Sequence, residues 1–215
     1  MEEPTRFRPP SQLVVDSLRL LGWIISKSLW FIRYEGLEHL PPNDSAPYVL
    51  VANHQTYIDP VWVCLPLRRR IRYMALSKAF GWPRIGRLIS YLGAFPVPHD
   101  GSSSFTAMKT AVNALRDGSV LVVFPEGGRA LADGEMREFR SGAFRIAQKA
   151  AVPIVPVTIS GGNRIWPQKQ KYPRPFRRVV ITYHPAAGPP NDAAAFAHVV
   201  REVITSRTRK TSNAT

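Results

Sequence analysis

The chain has a single cysteine, Cys64, among its 215 residues. An internal disulfide is therefore excluded, and a reducing compartment suits a chain whose one thiol reads as a small apolar residue of a helix. Acidic residues are also scarce: 15 Asp and Glu stand against 29 Lys and Arg, which leaves a net charge of +14. So basic a chain implies an anionic partner, whether a membrane surface, a nucleic acid or an acidic carrier protein. No C-x-x-C or H-E-x-x-H spacing supports a metal, and none is expected. The G-x-S-x-G elbow of α/β serine hydrolases, the P-loop and the dinucleotide fingerprint are all missing, as are internal repeats. A long uncharged apolar run is missing too. Leu13–Ile32 has spanning length but contains Asp16, Arg19 and Lys27, and each central charge costs roughly 2.5–3.5 kcal/mol on insertion scales. The N-terminus has no basic region ahead of an early apolar core, so no secretory signal is expected.

What remains is enough for one domain with a full core. Residues 11–34 read as an amphipathic helix, with Val14, Leu18, Leu21, Ile25, Leu29 and Ile32 on one face. Asp16, Arg19, Ser26 and Lys27 fall opposite, with Trp23 and Trp30 near the polar side. Such a helix fits the membrane interface, and the alternative is a helix covering the core. The expected organisation is a membrane-association segment over 1–34, the main domain over 35–205, and a mobile polar tail over 206–215.

Strands are expected at Tyr48–Ala52, Ile71–Leu76, Gly93–Val97, Ser119–Phe124, Val152–Ser160 and Arg177–Tyr183. Pro153 and Pro156 suggest an edge or a bulge for the fifth of these. Helices are expected at Pro60–Leu67, Phe80–Leu92, 102–117, Ala143–Ala150 and Asp192–Thr205. In Phe80–Leu92 the face formed by Trp82, Ile85, Leu88, Ile89 and Leu92 reads as core, with an acyl-chain pocket as the alternative. Strands alternating with helices give an α/β fold, a mostly parallel sheet flanked by helices.

Two stretches carry chemistry. In Asn53-His54-Gln55-Thr56-Tyr57-Ile58-Asp59-Pro60, a histidine follows a strand and a carboxylate follows five residues later. Ends of strands are where open α/β sheets hold their ligands, and a carboxylate beside an imidazole fixes its tautomer and makes it a better base. The alternative is an incidental His and an Asp acting as N-cap before Pro at the first helical position. In Phe124-Pro125-Glu126-Gly127-Gly128-Arg129, two glycines permit close backbone approach and Arg129 offers a planar fork suited to phosphate or carboxylate. Lys78, just past the Ile71–Leu76 strand, is a candidate for an anionic group, the alternative being a surface lysine. Arg140 is a weaker candidate of the same kind.

Over roughly residues 35–185 the chain resembles the glycerolipid acyltransferase family typified by bacterial 1-acylglycerol-3-phosphate acyltransferase (lysophosphatidic acid acyltransferase). The blocks that carry the resemblance are Asn53–Asp59, Gly93–His99, Phe124–Arg129 and Val152–Gly161. Gly128 stands where the family has Thr, and His99 where it has the Arg that binds the acceptor's phosphate. The resemblance implies transfer of a fatty acyl group from an acyl carrier protein or coenzyme A thioester to a lysophospholipid hydroxyl, with no cofactor. His54 would be the general base, Asp59 its orienting carboxylate, and Glu126, Gly127 and Arg129, with Lys78 and His99, the substrate-binding residues. It implies a peripheral enzyme on the cytoplasmic face of the cell membrane, meeting an anionic surface and no nucleic acid. The expected acceptor is 1-acylglycerol-3-phosphate. The departure at His99 keeps a phosphate-free lyso-lipid, such as lyso-ornithine lipid, as a second candidate. A non-catalytic basic protein binding membranes or nucleic acid would explain the charge but not the two site blocks.

Overall fold

The computed structural model describes residues 10–98, 104–129, 135–167 and 170–212. Its centre is a seven-stranded sheet of β1 (Trp30–Glu35), β2 (Val49–Ala52), β3 (Ile71–Leu76), β4 (Ala94–Val97), β5 (Val120–Val123), β6 (Ile154–Ser160) and β7 (Arg177–Tyr183). The spatial order is β1-β7-β6-β2-β5-β3-β4. All neighbours are parallel except β6 and β7, so β1 and β7 run against the other five. The helices are α1 (Gln12–Leu29), α2 (Asp59–Cys64), α3 (Ser77–Phe80), α4 (Ile85–Tyr91), α5 (Ser104–Arg116), α6 (Gly142–Ala150), α7 (Gly162–Ile165) and α8 (Ala193–Ser212). The expected α/β architecture is borne out.

β2, β5 and β6 are buried at every position. Parallel strands covered on both faces need apolar side chains pointing both ways, which is why these segments read as continuous runs rather than alternating ones. Leu50, Ala52, Val122 and Val157 face one side, where they meet Trp62 of α2 and Trp30 of β1. Val49, Val51, Leu121 and Val123 face the other and pack on α5, α6 and α8 through Leu115, Phe144 and Ile204. Burial is worth roughly 1.5–3 kcal/mol for each such large side chain. Because β2, β5, β3 and β6 run parallel, their carboxyl ends lie along one edge of the sheet.

Several elements differ from the sequence expectation. The first helix ends at Leu29, and Trp30–Glu35, read as its continuation, is a strand paired in parallel with β7. The apolar stripe from Val14 to Leu29 faces away from the protein, which leaves it free for the interface expected of it, and only Ile32, in β1, is buried. α1 packs inward through Arg19, Gly22, Trp23 and Ser26, while Leu13, Leu20, Leu21 and Ile24 are 81, 62, 52 and 54% exposed. Of the polar residues, Arg19 and Ser26 turn inward, where Arg19 donates to the carbonyl of Leu67, while Asp16 and Lys27 stay exposed. Phe80–Leu92 is not one helix. It breaks around Pro83 and Arg84, whose φ of 63° starts α4 afresh. Trp82, Ile85 and Leu88, expected in the core, are exposed.

Asp59 is the first residue of α2 rather than its N-cap. β6 is an interior strand between β7 and β2. Pro156 is tolerated there because it lies just before the β7 ladder begins at Val157, and its carbonyl accepts the N–H of His184 at 2.9 Å. α8 continues to Ser212, through most of the segment expected to be a mobile tail. Among the described residues, no helix is long and apolar enough to cross a membrane.

Candidate active site

The turn after β2 is built on Asn53. Its amide extends the β2–β6 ladder one step past the backbone, accepting the Ile159 N–H at 2.7 Å and donating to the Ile159 carbonyl at 2.9 Å. This frees the chain to turn at His54. Asp59 then closes the turn from the start of α2. Its Oδ2 accepts the backbone N–H groups of Gln55 and Thr56 at 2.5 and 2.7 Å, and its Oδ1 accepts the Thr56 hydroxyl at 2.7 Å. The Asp59 side chain is fully buried, and a buried carboxylate persists only when its oxygens are satisfied in this way.

His54 Nδ1 lies 2.9 Å from Asp59 Oδ2. An ionised carboxylate only accepts, so Nδ1 carries the proton and Nε2 keeps its lone pair. The imidazole stacks on Phe124, with centroids 4.4 Å apart, and its side chain is 18% exposed. It is thus held on two sides and still reachable. Among the described residues no serine or cysteine hydrogen-bonds to His54, and no group of three or more His, Cys, Asp or Glu is placed to hold a metal.

The loop after β5 supplies the basic half of the site. Glu126 is buried, and both its oxygens are engaged by backbone donors: Oε1 accepts the His54 N–H at 2.7 Å and Oε2 the Arg137 N–H at 2.9 Å. Burial raises its pKa, against the lowering pull of those two hydrogen bonds and of nearby His54 and Arg137. Gly127 has φ of 66°, and a Cβ there would come within 2.9 Å of the Arg140 guanidinium. At Gly128 a Cβ would lie 3.0 Å from Arg137 Nη1. The two glycines therefore let Arg137 and Arg140 lie against the loop that carries Arg129. The Arg129 guanidinium sits over the ring of Tyr57, 3.8 Å from its centroid.

The structure brings His54, Asp59, Glu126 and Gly127 together, and joins Arg129 to the His54 turn through Tyr57. Glu126 links backbones rather than presenting its carboxylate outward. Lys78 lies exposed on α3, at the same sheet edge but with no hydrogen bond or ion pair to His54, Asp59 or Arg129. His99 lies outside the described residues. Sequence inspection did not single out Asn53, Phe124, Tyr57 or Arg137 for these roles. Only the strand-end position of Asn53 and Phe124 gave a signal.

A strand-end His–Asp pair beside a cationic loop points to a class, and the chain's relatives agree on which. The acyltransferase family matches residues 31–160, more than half of the chain, and the protein belongs to that family. The resemblance seen in the motifs is borne out. Among its relatives is the chloroplastic 1-acyl-sn-glycerol-3-phosphate acyltransferase of Arabidopsis thaliana, 36% identical over 63% of this chain and 38% of the plant protein. The 1-acyl-sn-glycerol-3-phosphate acyltransferase of Chlamydomonas reinhardtii is 31% identical over 92% of this chain and 61% of its own. That of Streptococcus pneumoniae is 34% identical over 66% of this chain and 51% of its own. The chain thus spans between about two fifths and three fifths of these relatives' lengths. The crystal structure of the 1-acyl-sn-glycerophosphate (LPA) acyltransferase from Thermotoga maritima superposes with a TM-score of 0.78, covering 93% of this chain and 80% of that one. At 24% identity it shows a shared fold.

Proposed function

We propose that this protein transfers a fatty acyl group from a thioester, carried by acyl carrier protein or coenzyme A, to the free hydroxyl of 1-acylglycerol-3-phosphate. The observation that carries this is His54 held by buried Asp59 with Nε2 unprotonated, next to a loop on which Arg129, Arg137 and Arg140 converge. Nε2 takes the proton of the acceptor hydroxyl as its oxygen attacks the thioester carbonyl. Asp59 stabilises the imidazolium. The tetrahedral adduct then expels the thiolate, which takes the proton back from His54, leaving an ester and a free thiol. Neither an enzyme nucleophile nor a cofactor enters this sequence. Arg129 receives the acceptor's phosphate, for which a guanidinium fork is well matched. The named activity of the relatives supports the same acceptor.

The reaction takes place at an anionic membrane surface, on the cytoplasmic face. Eight apolar residues of α1 are at least 37% exposed. α4 lies on the same side of the sheet as α1, since Tyr73, which like Trp23 of α1 packs against the cluster of Trp30 and Trp62, donates to the α4 carbonyl of Ile89 at 3.4 Å. Its Ile85, Leu88 and Tyr91 are 49, 49 and 46% exposed, with basic Arg84 and Arg87 beside them. An apolar surface rimmed by cations suits the boundary of an anionic bilayer.

The test is transfer from labelled acyl-coenzyme A and acyl carrier protein, with lysophosphatidic acid and lyso-ornithine lipid offered in parallel to wild type and His54→Ala. Transfer to lysophosphatidic acid is expected, falling about 10²–10⁴-fold in the variant. Transfer that persists in the variant removes His54 as base. A preference for lyso-ornithine lipid reassigns the acceptor. No transfer from either donor leaves the charge to serve binding alone.

A further inference from the structure

Three loops at the carboxyl edge of the sheet meet on one side chain of a fourth, Tyr57. It lies in the turn between β2 and α2, three residues past His54, and is 48% exposed. From the loop after β5, Arg129 places its guanidinium carbon 3.8 Å from the centre of the ring. Trp82, between α3 and α4, meets the ring edge-on at 5.7 Å and 79°. Trp166, which ends α7 beyond β6, meets it at 5.3 Å and 76°. The indole of Trp166 is itself fixed, donating to the carbonyl of Gln170 at 2.9 Å. A tyrosine this open gains little from burial, and the geometry of its neighbours accounts for its place.

Arg129 has a problem that this arrangement solves. It follows two glycines in an irregular loop, with no helix or strand to aim it. A long cationic side chain there has many rotamers, and binding an anion must select one of them. A ring face attracts a guanidinium through its quadrupole, and stacking leaves the in-plane N–H fork to meet an anion. The two edge-on tryptophans fix the ring, and the ring fixes the guanidinium. Since Tyr57 belongs to the same turn as His54, the cation is set in the frame of the base.

We propose that Tyr57 is the positioning residue of Arg129, an aromatic platform that presets the guanidinium fork for the acceptor's phosphate at a fixed distance from His54. This rests on the reading of Arg129 as the phosphate-binding residue. What the platform needs is a π face, not the phenol hydroxyl. Phe should therefore serve in its place, and an aliphatic side chain of similar bulk should not.

The test is steady-state kinetics with lysophosphatidic acid for Tyr57→Phe, Tyr57→Leu, Tyr57→Met, Arg129→Ala and the double variant Tyr57→Leu/Arg129→Ala, each with a thermal melt. Tyr57→Leu and Tyr57→Met are expected to raise the acceptor KM roughly 3- to 30-fold, with kcat within about twofold. Tyr57→Phe stays near wild type. In the Arg129→Ala background, Tyr57→Leu adds no further rise, because the cation it positions is gone. If Arg129→Ala raises KM but Tyr57→Leu has its full effect in both backgrounds, or none in either, the positioning role is overturned and the phosphate-binding role stands. If Arg129→Ala leaves KM unchanged, the phosphate-binding role itself fails. A melt lowered equally by Leu and Met, with kcat falling alongside, would make Tyr57 a packing residue and also overturn the proposal.

Discussion

Glu126 accepts the backbone N–H of His54 at 2.7 Å with one oxygen and that of Arg137 at 2.9 Å with the other. A single buried carboxylate thus ties the base-bearing turn after β2 to the chain that follows the glycine loop. Glu126→Gln replaces one of those acceptors by an NH₂ group facing a backbone N–H. Leaving that donor unsatisfied is expected to cost about 1–3 kcal/mol of stability. It should also lower kcat, because the backbone at His54 loses its tether. Urea denaturation beside steady-state kinetics checks both. A variant with wild-type stability would show that the carboxylate does not hold the two segments together.

Asp59 holds the same turn from the other side, with three donors of the turn and the imidazole on its two oxygens. In Asp59→Asn the Oδ2 position must still accept from two backbone groups, so the NH₂ falls on the Thr56 side or the turn opens. Either way the imidazolium loses its counter-charge. The expected result is a fall in kcat of about 10²–10⁴ with the acceptor KM within a few-fold. A kcat within tenfold of wild type would mean that Asp59 shapes the turn and takes no part in the proton transfer.

The sequence made the chemistry of this turn visible because His54 and Asp59 are only five residues apart, and a turn that short brings them together. The partners of Glu126 and Arg129 were not visible. Glu126 meets two backbone amides, one of them 72 residues upstream, and Arg129 an aromatic ring 72 residues upstream, and none of these leaves a spacing pattern. The fold shows the same division. β2 and β5 were read nearly to the residue, because covered strands bounded by turn residues are continuous apolar runs, while β3 and β7, which carry Arg72, Arg177 and Arg178, were legible through their β-branched and aromatic residues. β1 was missed because no glycine or proline separates Leu29 from Trp30, and Ile32 continues the helical spacing of α1. The side on which α1 packs was hidden: its apolar stripe suggested a face turned to the membrane, but nothing in the spacing marked Arg19 and Gly22 as the side that fits against Val61, Leu65 and Leu67.

That outward stripe gives a prediction free of folding effects. Leu20 and Ile24 are 62 and 54% exposed, so replacing both with serine removes little packing. The melting temperature should stay within about 2 °C, since surface changes are usually within about 0.5 kcal/mol. Partition onto phosphatidylglycerol vesicles should fall at least about tenfold, given roughly 1.5–3 kcal/mol for each buried side chain. Sedimentation with vesicles, compared between the double variant and wild type, measures it. Equal partition would show that α1 does not enter the interface.

A pH dependence of stability follows from His184, which lies far from the catalytic turn along the chain. Its Nε2 is 2.7 Å from the Thr158 hydroxyl, at the junction of β6 and the end of β7. Burial lowers its pKa from 6.5 to about 4, and the positive charges of Arg207 and His39 push the same way. The folded protein therefore keeps this imidazole neutral where the unfolded chain would already protonate it. Its contribution is full above about pH 6.5, is lost as the pH falls toward about 4, and stays lost below that. Because the ring is only partly shielded, solvent screening cuts the loss to about 1–2 kcal/mol. Urea midpoints measured from pH 7 to pH 4 should fall less steeply in His184→Gln than in wild type, with the two curves diverging between pH 6.5 and 4. Parallel curves across that window would mean that His184 titrates alike in the folded and unfolded chains.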